Sequence, residues 1–111
     1  MFKKILSFSS LMFACNCLAG ELVREAIVAE VASNGTANAV NFGVRVEGGT
    51  GLCTNWIFFP QTKSASLHLS EATYNHAFSL ATTALATGQK VRIHNYTGNE
   101  CNGADLISVS K

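Results

Sequence analysis

The chain has 111 residues, with eight lysines and arginines against seven acidic residues and a formal net charge of +1 at neutral pH. That length supports one domain. The near-neutral balance argues against general nucleic-acid binding, which needs clustered basic charge to displace counterions.

Met1-Phe2-Lys3-Lys4 is a short basic segment, Ile5 to Ala14 is almost wholly apolar, and Cys17-Leu18-Ala19 offers small residues at the cleavage positions. This is the pattern of a secretory signal peptide. The apolar run is about half of the roughly 20 residues that a membrane-spanning helix needs, so permanent anchoring is the weaker reading. Ala14-Cys15 resembles the end of a lipid-attachment box, yet Met12 and Phe13 are poor residues before it, which makes a lipoprotein the weaker reading too. The expected division is a signal peptide over 1–19 and a single domain over 20–111, secreted or periplasmic. Cys15 and Cys17 leave with the leader. Cys53 and Cys101 remain as a pair in an oxidising compartment and are expected to form a disulfide. Two widely spaced cysteines lack the paired spacing of a zinc site, so neither metal nor cofactor is expected.

Leu22 to Val31 is rich in β-branched and apolar residues, with Arg24, Glu25 and Glu30 interspersed, and reads as a strand that ends at a Ser33-Asn34-Gly35 turn. Val40, Phe42, Val44 and Val46 alternate with Asn41, Gly43, Arg45 and Glu47, a strand with one buried face. Gly48-Gly49-Thr50-Gly51 breaks that pattern as a flexible turn. Trp56 to Phe59 then forms a heavily apolar third strand stopped by Pro60, and Gln61 to Ser66 is a polar loop.

The helix is predicted from Ser70 to Thr87. Ser70 is a suitable N-cap, Glu71 faces the positive end of the helix dipole, and Gly88 supplies the C-terminal stop. Tyr74, Phe78, Ala81 and Leu85, with Ala77 and Ala84, follow the spacing of a buried stripe. Thr73, His76, Ser79, Thr83 and Thr87 lie away from it, and between Glu71 and Lys90 there is no charge. An exposed helix of this length ordinarily carries several charges, so this face is expected to meet another copy of the chain. A strand from Lys90 to Tyr96 and a last strand from Leu106 to Val109 complete the domain. The resulting fold class is mainly β with one helix, a five-stranded OB-fold-like barrel with the helix between strands 3 and 4. An open α+β sheet with one covering helix is the alternative.

Catalysis has few residues to draw on. His68, His76 and His94 are the only histidines and Asp105 is the only aspartate, with no Gly-x-Ser-x-Gly elbow and no paired-histidine motif. The protein is therefore read as a non-enzymatic binding protein. Trp56 and Tyr96 combine an apolar body with a polar handle and suit a partly wet binding surface. Lys90, Arg92 and His94 share one strand face opposite Val91 and Ile93, a polar surface for solvent, a ligand or a neighbouring subunit.

Tyr74-Asn75, Ala77, Thr87-Gly88-Gln89 and Val91-Arg92-Ile93 carry a resemblance to a known family. The stretch from Thr73 to His94, about a fifth of the chain, resembles the binding subunits of subtilase-cytotoxin-like AB5 toxins, in which a Tyr-Asn-x-Ala helix precedes Thr-Gly-Gln-x-Val-Arg-Ile. It is similar as well to small secreted bacterial proteins of uncharacterised function with the same order of cysteine, helix and Val-Arg-Ile. The resemblance implies an OB-fold subunit in a pentameric ring whose pore is lined by the helix, a sialylated host glycan as ligand and a toxin A subunit as partner. The chain departs from that pattern in three places. Asn95 stands where the family has a sugar-binding aromatic, with Tyr96 one step further; the family's first-strand serine has no match between Leu22 and Val31; and Cys53 with Cys101 implies a different disulfide. The expected ligand contacts are Trp56, Arg92, Asn95 and Tyr96. The competing reading is a monomeric periplasmic inhibitor or envelope-associated protein that acts through the Gly48 to Gly51 loop.

Overall fold

The computed structural model describes residues 20–35, 40–61 and 70–111. Residues 1–19, expected to be a leader, and residues 62–69, which include most of the expected polar loop and His68, lie outside the described residues. The elements are β1 (Glu21–Gly35), β2 (Val40–Glu47), β3 (Trp56–Pro60), α1 (Glu71–Thr87), β4 (Lys90–His94) and β5 (Leu106–Ser110). Five antiparallel strands form one open sheet in the order β3-β2-β1-β4-β5, and α1 is the one helix among the described residues.

The central strand β1 serves two partners. Its first half pairs with β4, from Glu21 opposite His94 to Ile27 opposite Lys90, and its second half pairs with β2, from Ile27 opposite Glu47 to Gly35 opposite Val40. Register shifts between Val23 and Ala26 and between Val28 and Glu30 bend the strand where it changes partner. Glu25 sits in the first of these irregularities with φ of 57°, the left-handed region that non-glycine residues seldom occupy.

Ser33, Asn34 and Gly35 are strand residues paired with Phe42, Asn41 and Val40, which corrects the expected turn. The ladder to β2 supplies partners for their backbone groups, and this outweighs the local turn preference of Asn-Gly. Pro60 closes β3 instead of standing beyond it. It pairs with Asn41 on an edge strand, where the missing N–H costs no ladder bond. At the other end β4 stops at His94, so Tyr96 belongs to the following turn.

The helix ends are as the sequence predicts. The Ser70 hydroxyl accepts from the Thr73 N–H at 3.2 Å, and Gly88, with φ of 72°, donates its N–H to the Ala84 carbonyl at 2.9 Å. Its buried residues are Ala77, Ala81 and Ala84, so the helix axis lies close to the sheet. Leu85, expected within the buried stripe, is 42% exposed. It lies about 80° around the helix from the centre of the alanine face and is one turn or more beyond Phe78, the last helix ring that reaches Phe42. Phe42 is the hub of the core. It stacks on Phe59 at 4.6 Å and meets Tyr74 and Phe78 edge-on at 5.3 and 5.2 Å. Leu22, Val44, Ile57 and Ile93 fill the remaining interior.

The disulfide Cys53–Cys101 is formed, as expected. It ties the loop before β3 to the loop before β5. Next to it, the Phe58 N–H donates to the Cys101 carbonyl at 2.8 Å and the Ala104 N–H donates to the Phe58 carbonyl at 3.0 Å. The edge strand β3 is thereby joined to the segment that leads into β5.

The Gly48 to Gly51 turn is held down on β1. Arg24 and Thr50 exchange both backbone hydrogen bonds, at 2.9 and 3.0 Å, and the Cys53 N–H donates to the Leu22 carbonyl at 2.9 Å. Gly49 and Gly51 are needed here, because a Cβ on either would overlap the Arg24 or the Leu22 carbonyl oxygen while φ is positive at both.

Candidate functional site

Alternation along β4 turns Val91 and Ile93 into the core and leaves Lys90, Arg92 and His94 on the outer face, as the sequence pattern requires. Antiparallel pairing then sets Ser110 beside Lys90, Ser108 beside Arg92 and Leu106 beside His94. From the other side β1 contributes Glu21 beside His94 and Ile27, 43% exposed, beside Lys90, with Arg24 and Glu25 from its irregular stretch. The outer face of the β1-β4-β5 wing is consequently rich in polar and charged side chains, with Ile27 and Leu106 among them.

One corner of this face is built around Glu21. Its carboxylate is nearly buried and accepts two bonds from the Arg24 guanidinium, at 2.9 Å from Nε and 3.0 Å from Nη2. His94 Nε2 lies 3.7 Å from the same carboxylate. The two-pronged guanidinium contact neutralises the carboxylate where water is mostly excluded. The His94 ring in turn stacks on Tyr96, with centroids 5.5 Å apart and planes inclined by 29°.

Tyr96 is 67% exposed, the most exposed large hydrophobic residue among those described. Its backbone is nonetheless fixed, since its N–H donates to both carboxylate oxygens of Asp105 at 3.2 Å. Burial raises the Asp105 carboxyl above its ordinary range, against the Tyr96 hydrogen bond and the nearby His94, which act to lower it. The Asp105 N–H donates to the His94 carbonyl at 2.9 Å, so the turn and the start of β5 are locked together.

The four expected contact residues fall into different situations. Arg92 and Tyr96 share the outer β4 surface and are accessible. Asn95 is 1% exposed and its side chain is engaged in building the turn. Its Nδ2 donates to the Glu100 carbonyl at 3.1 Å, and its Oδ1 accepts from the Thr97 N–H and hydroxyl, each at 3.0 Å. Gly103 packs against the same amide so closely that a Cβ there would lie 2.8 Å from Nδ2. Asn95 therefore shapes the loop that presents Tyr96 and offers no free amide edge to a ligand. Trp56 stands on β3, with β2 and β1 between its strand and β4 in the sheet. It stacks on Phe58 at 5.9 Å, and both rings cover Gly43, where a Cβ would strike the Phe58 ring. Trp56 lies on the edge strand opposite Arg45, and its strand meets the segment leading into β5 through Phe58.

Sequence reasoning missed Glu25, Ser108 and Ser110 as neighbours of Arg92, and Glu21 and Asp105 as neighbours of His94 and Tyr96. Arg24 and Glu25 do interrupt the apolar run of β1, a visible sign of an irregular strand. Which strand lies beside β4 is a matter of tertiary pairing, and no local signal carries it. Among the described residues no three or more His, Cys, Asp or Glu side chains come together in a way that could hold a metal ion. No helix among them is long and apolar enough to cross a membrane.

A disulfide-bonded, five-stranded antiparallel sheet covered by one helix, with a polar groove and an exposed aromatic on its outer wing, defines a small β-rich protein with a solvent-facing polar surface. The chain belongs to the DUF5992 family, a family of unknown function whose model matches residues 2–111. No curated protein and no solved structure matches it.

Proposed function

We propose that this is a secreted, non-catalytic binding protein whose ligand surface is the outer face of β4 with the turn after it, and that the ligand is a glycan. The observation that carries this reading is the exposed Tyr96 ring, stacked on His94 and fixed from behind by Asp105. A sugar ring offers an apolar C–H face and a rim of hydroxyls. An exposed aromatic face beside charged side chains complements both. Because the Tyr96 backbone is already ordered, little conformational freedom is lost when a ligand seats on it.

The proposed architecture around this surface is an OB-fold-like barrel of the toxin B-subunit kind. The strand order and the helix between the third and fourth strands agree with it, and the hydrogen bonds that Phe58 donates to Cys101 and accepts from Ala104 draw the two sheet edges towards each other. Assembly into a ring through α1, with a toxin A subunit as its cargo, is supported by the helix surface. Leu80 and Leu85 are 39% and 42% exposed on an element without charge between Glu71 and Lys90. The two leucines stand about 140° apart, one on either side of the alanine face, so the support comes from the uncharged helix surface as a whole and not from a single patch. The leader pattern and the formed disulfide support export to an oxidising compartment.

A glycan array probed with the processed protein tests the ligand. Binding that is lost in Tyr96→Ala is expected, and signal at background for every glycan refutes the sugar reading. Light scattering tests the ring. Leu80→Glu with Leu85→Glu should convert an oligomer to a monomer with unchanged secondary structure, and a wild-type monomer at micromolar concentration refutes assembly.

A further inference from the structure

A groove of about 290 Å³ runs over the outer wing between β1, β4 and β5, lined by Arg24, Glu25, Lys90, Arg92, Ser108 and Ser110. We infer that this groove binds a tetrahedral oxyanion, a sulfate or phosphate group, between Arg92 and Lys90. The inference deepens the proposed binding role by naming the charge class of the ligand, and its test uses inorganic ions so that sugar binding and anion binding fail separately.

The donor geometry comes from the register. Arg92 lies directly opposite Ser108 and Lys90 directly opposite Ser110. Cross-strand partners have Cβ atoms about 5 Å apart, and successive residues on one face of a strand are about 6.6 Å apart. The four side chains thus form a rectangle of donors on a single face. Guanidinium and ammonium groups donate only, and each serine hydroxyl has a proton to give. A planar carboxylate has two oxygens and satisfies the Arg92 fork alone. A tetrahedral group fills the fork with two oxygens and still presents another to Lys90 and a serine hydroxyl.

The charge balance of the groove is uneven in a useful way. Arg24 is held by the nearly buried Glu21, and Lys90 is met by Glu25 at 3.4 Å. Among the described residues Arg92 forms no salt bridge, although Arg24 and Arg45 both do. The groove is left with one positive charge in excess. The Glu25–Lys90 contact is weak, because the two side chains are 68% and 49% exposed and water screens them. Glu25 owes its position to the β1 irregularity, where φ is 57°, a conformation that persists only where surrounding structure imposes it. That structure is the Gly49–Gly51 turn clamped on Arg24. The carboxylate of Glu25 is in this way an internal anion beside the donors, exchangeable for an incoming one.

The groove is larger than one oxyanion fills, so the remainder of a substituted sugar or headgroup can follow along β4 towards Tyr96. The test is a titration of the intact disulfide-bonded protein with sodium sulfate, sodium phosphate and sodium acetate at constant ionic strength, followed by NMR shifts of the Ser108 and Ser110 amides. Saturable shifts with sulfate and phosphate are expected. Arg92→Gln should weaken them about tenfold, the loss of a two-pronged charged contact, and Glu25→Gln should tighten them about threefold by removing the competing carboxylate. Arg45→Gln, which alters a β2 guanidinium paired with Glu30 of β1 and Glu47 of β2, should change nothing. Three results overturn the proposal: no saturable shift with either ion, equal weakening by Arg92→Gln and Arg45→Gln, or acetate bound as tightly as sulfate. Arg92 and Glu25 are exposed, so both variants should fold, and unchanged amide spectra away from the groove verify it.

Discussion

Replacing Asn95 with alanine separates a loop-building residue from a ligand contact. The side chain makes three hydrogen bonds, one to the Glu100 carbonyl and two from Thr97, and is 1% exposed. Each such bond contributes about 0.5–1.5 kcal/mol net, and a buried partner left unpaired costs more. Thr97 is exposed, so water replaces part of its loss. The expected cost is roughly 2–3 kcal/mol, from the three part-buried bonds together and the space left beside Gly103. For a domain of this size that corresponds to a Tm roughly 10–20 °C lower. Equilibrium urea unfolding with the disulfide intact measures it, with the slope unchanged. Asn95→Asp should be at least as harmful, because it keeps the acceptor for Thr97, loses the donor to Glu100 and buries a charge. A loss below about 0.5 kcal/mol in the alanine variant, the level of an ordinary surface substitution, would refute the structural role and return Asn95 to the ligand surface.

Replacing both Cys53 and Cys101 with serine should lower stability by about 4 kcal/mol, the chain-entropy value for a closed loop of this length, read as a shift in urea midpoint; a shift near zero would mean that the contacts of Phe58 with Cys101 and Ala104 hold the two edges unaided. Asp105 titrates above its ordinary range in the folded chain, so the folded state binds more protons than the unfolded one between the unfolded and folded pKa values, and stability falls as pH rises through that window. Asp105→Asn keeps an acceptor for the Tyr96 N–H and removes this dependence. The Tm of the variant relative to wild type should therefore increase as pH rises from about 3 to about 7, and a constant or shrinking difference would contradict the sign.

Much of the local structure was legible in residue order. Ser70 and Gly88 bound the helix because one supplies an acceptor for an orphan N–H and the other adopts positive φ without cost. The alternation in Val40 to Glu47 and Lys90 to His94 assigned inner and outer faces, since successive strand side chains point to opposite sides. The misreadings have a common origin. Ser33-Asn34-Gly35 looks like a turn locally but is held extended by β2, and Leu85 has helical core spacing but points away from the alanine face, whose last member Ala84 is fully buried. In both cases the answer lay in a partner distant in the chain.

The site followed the same division. The accessibility of Arg92 and Tyr96 could be read from side-chain type and strand alternation, properties that a short window of sequence contains. Asn95 became a structural residue only when the loop from Thr97 to Gly103 folded over its amide, and Trp56 gained its neighbours, Phe58 and Gly43, only from strand pairing. The groove depends on β1 lying beside β4 and on a left-handed Glu25 imposed by a turn that begins more than twenty residues later. Local chemistry specifies elements and their faces because backbone propensity and side-chain periodicity act over a few residues. Which faces meet is decided by non-local pairing and burial, so it is there that the polar wing of this protein acquired its shape and its charge.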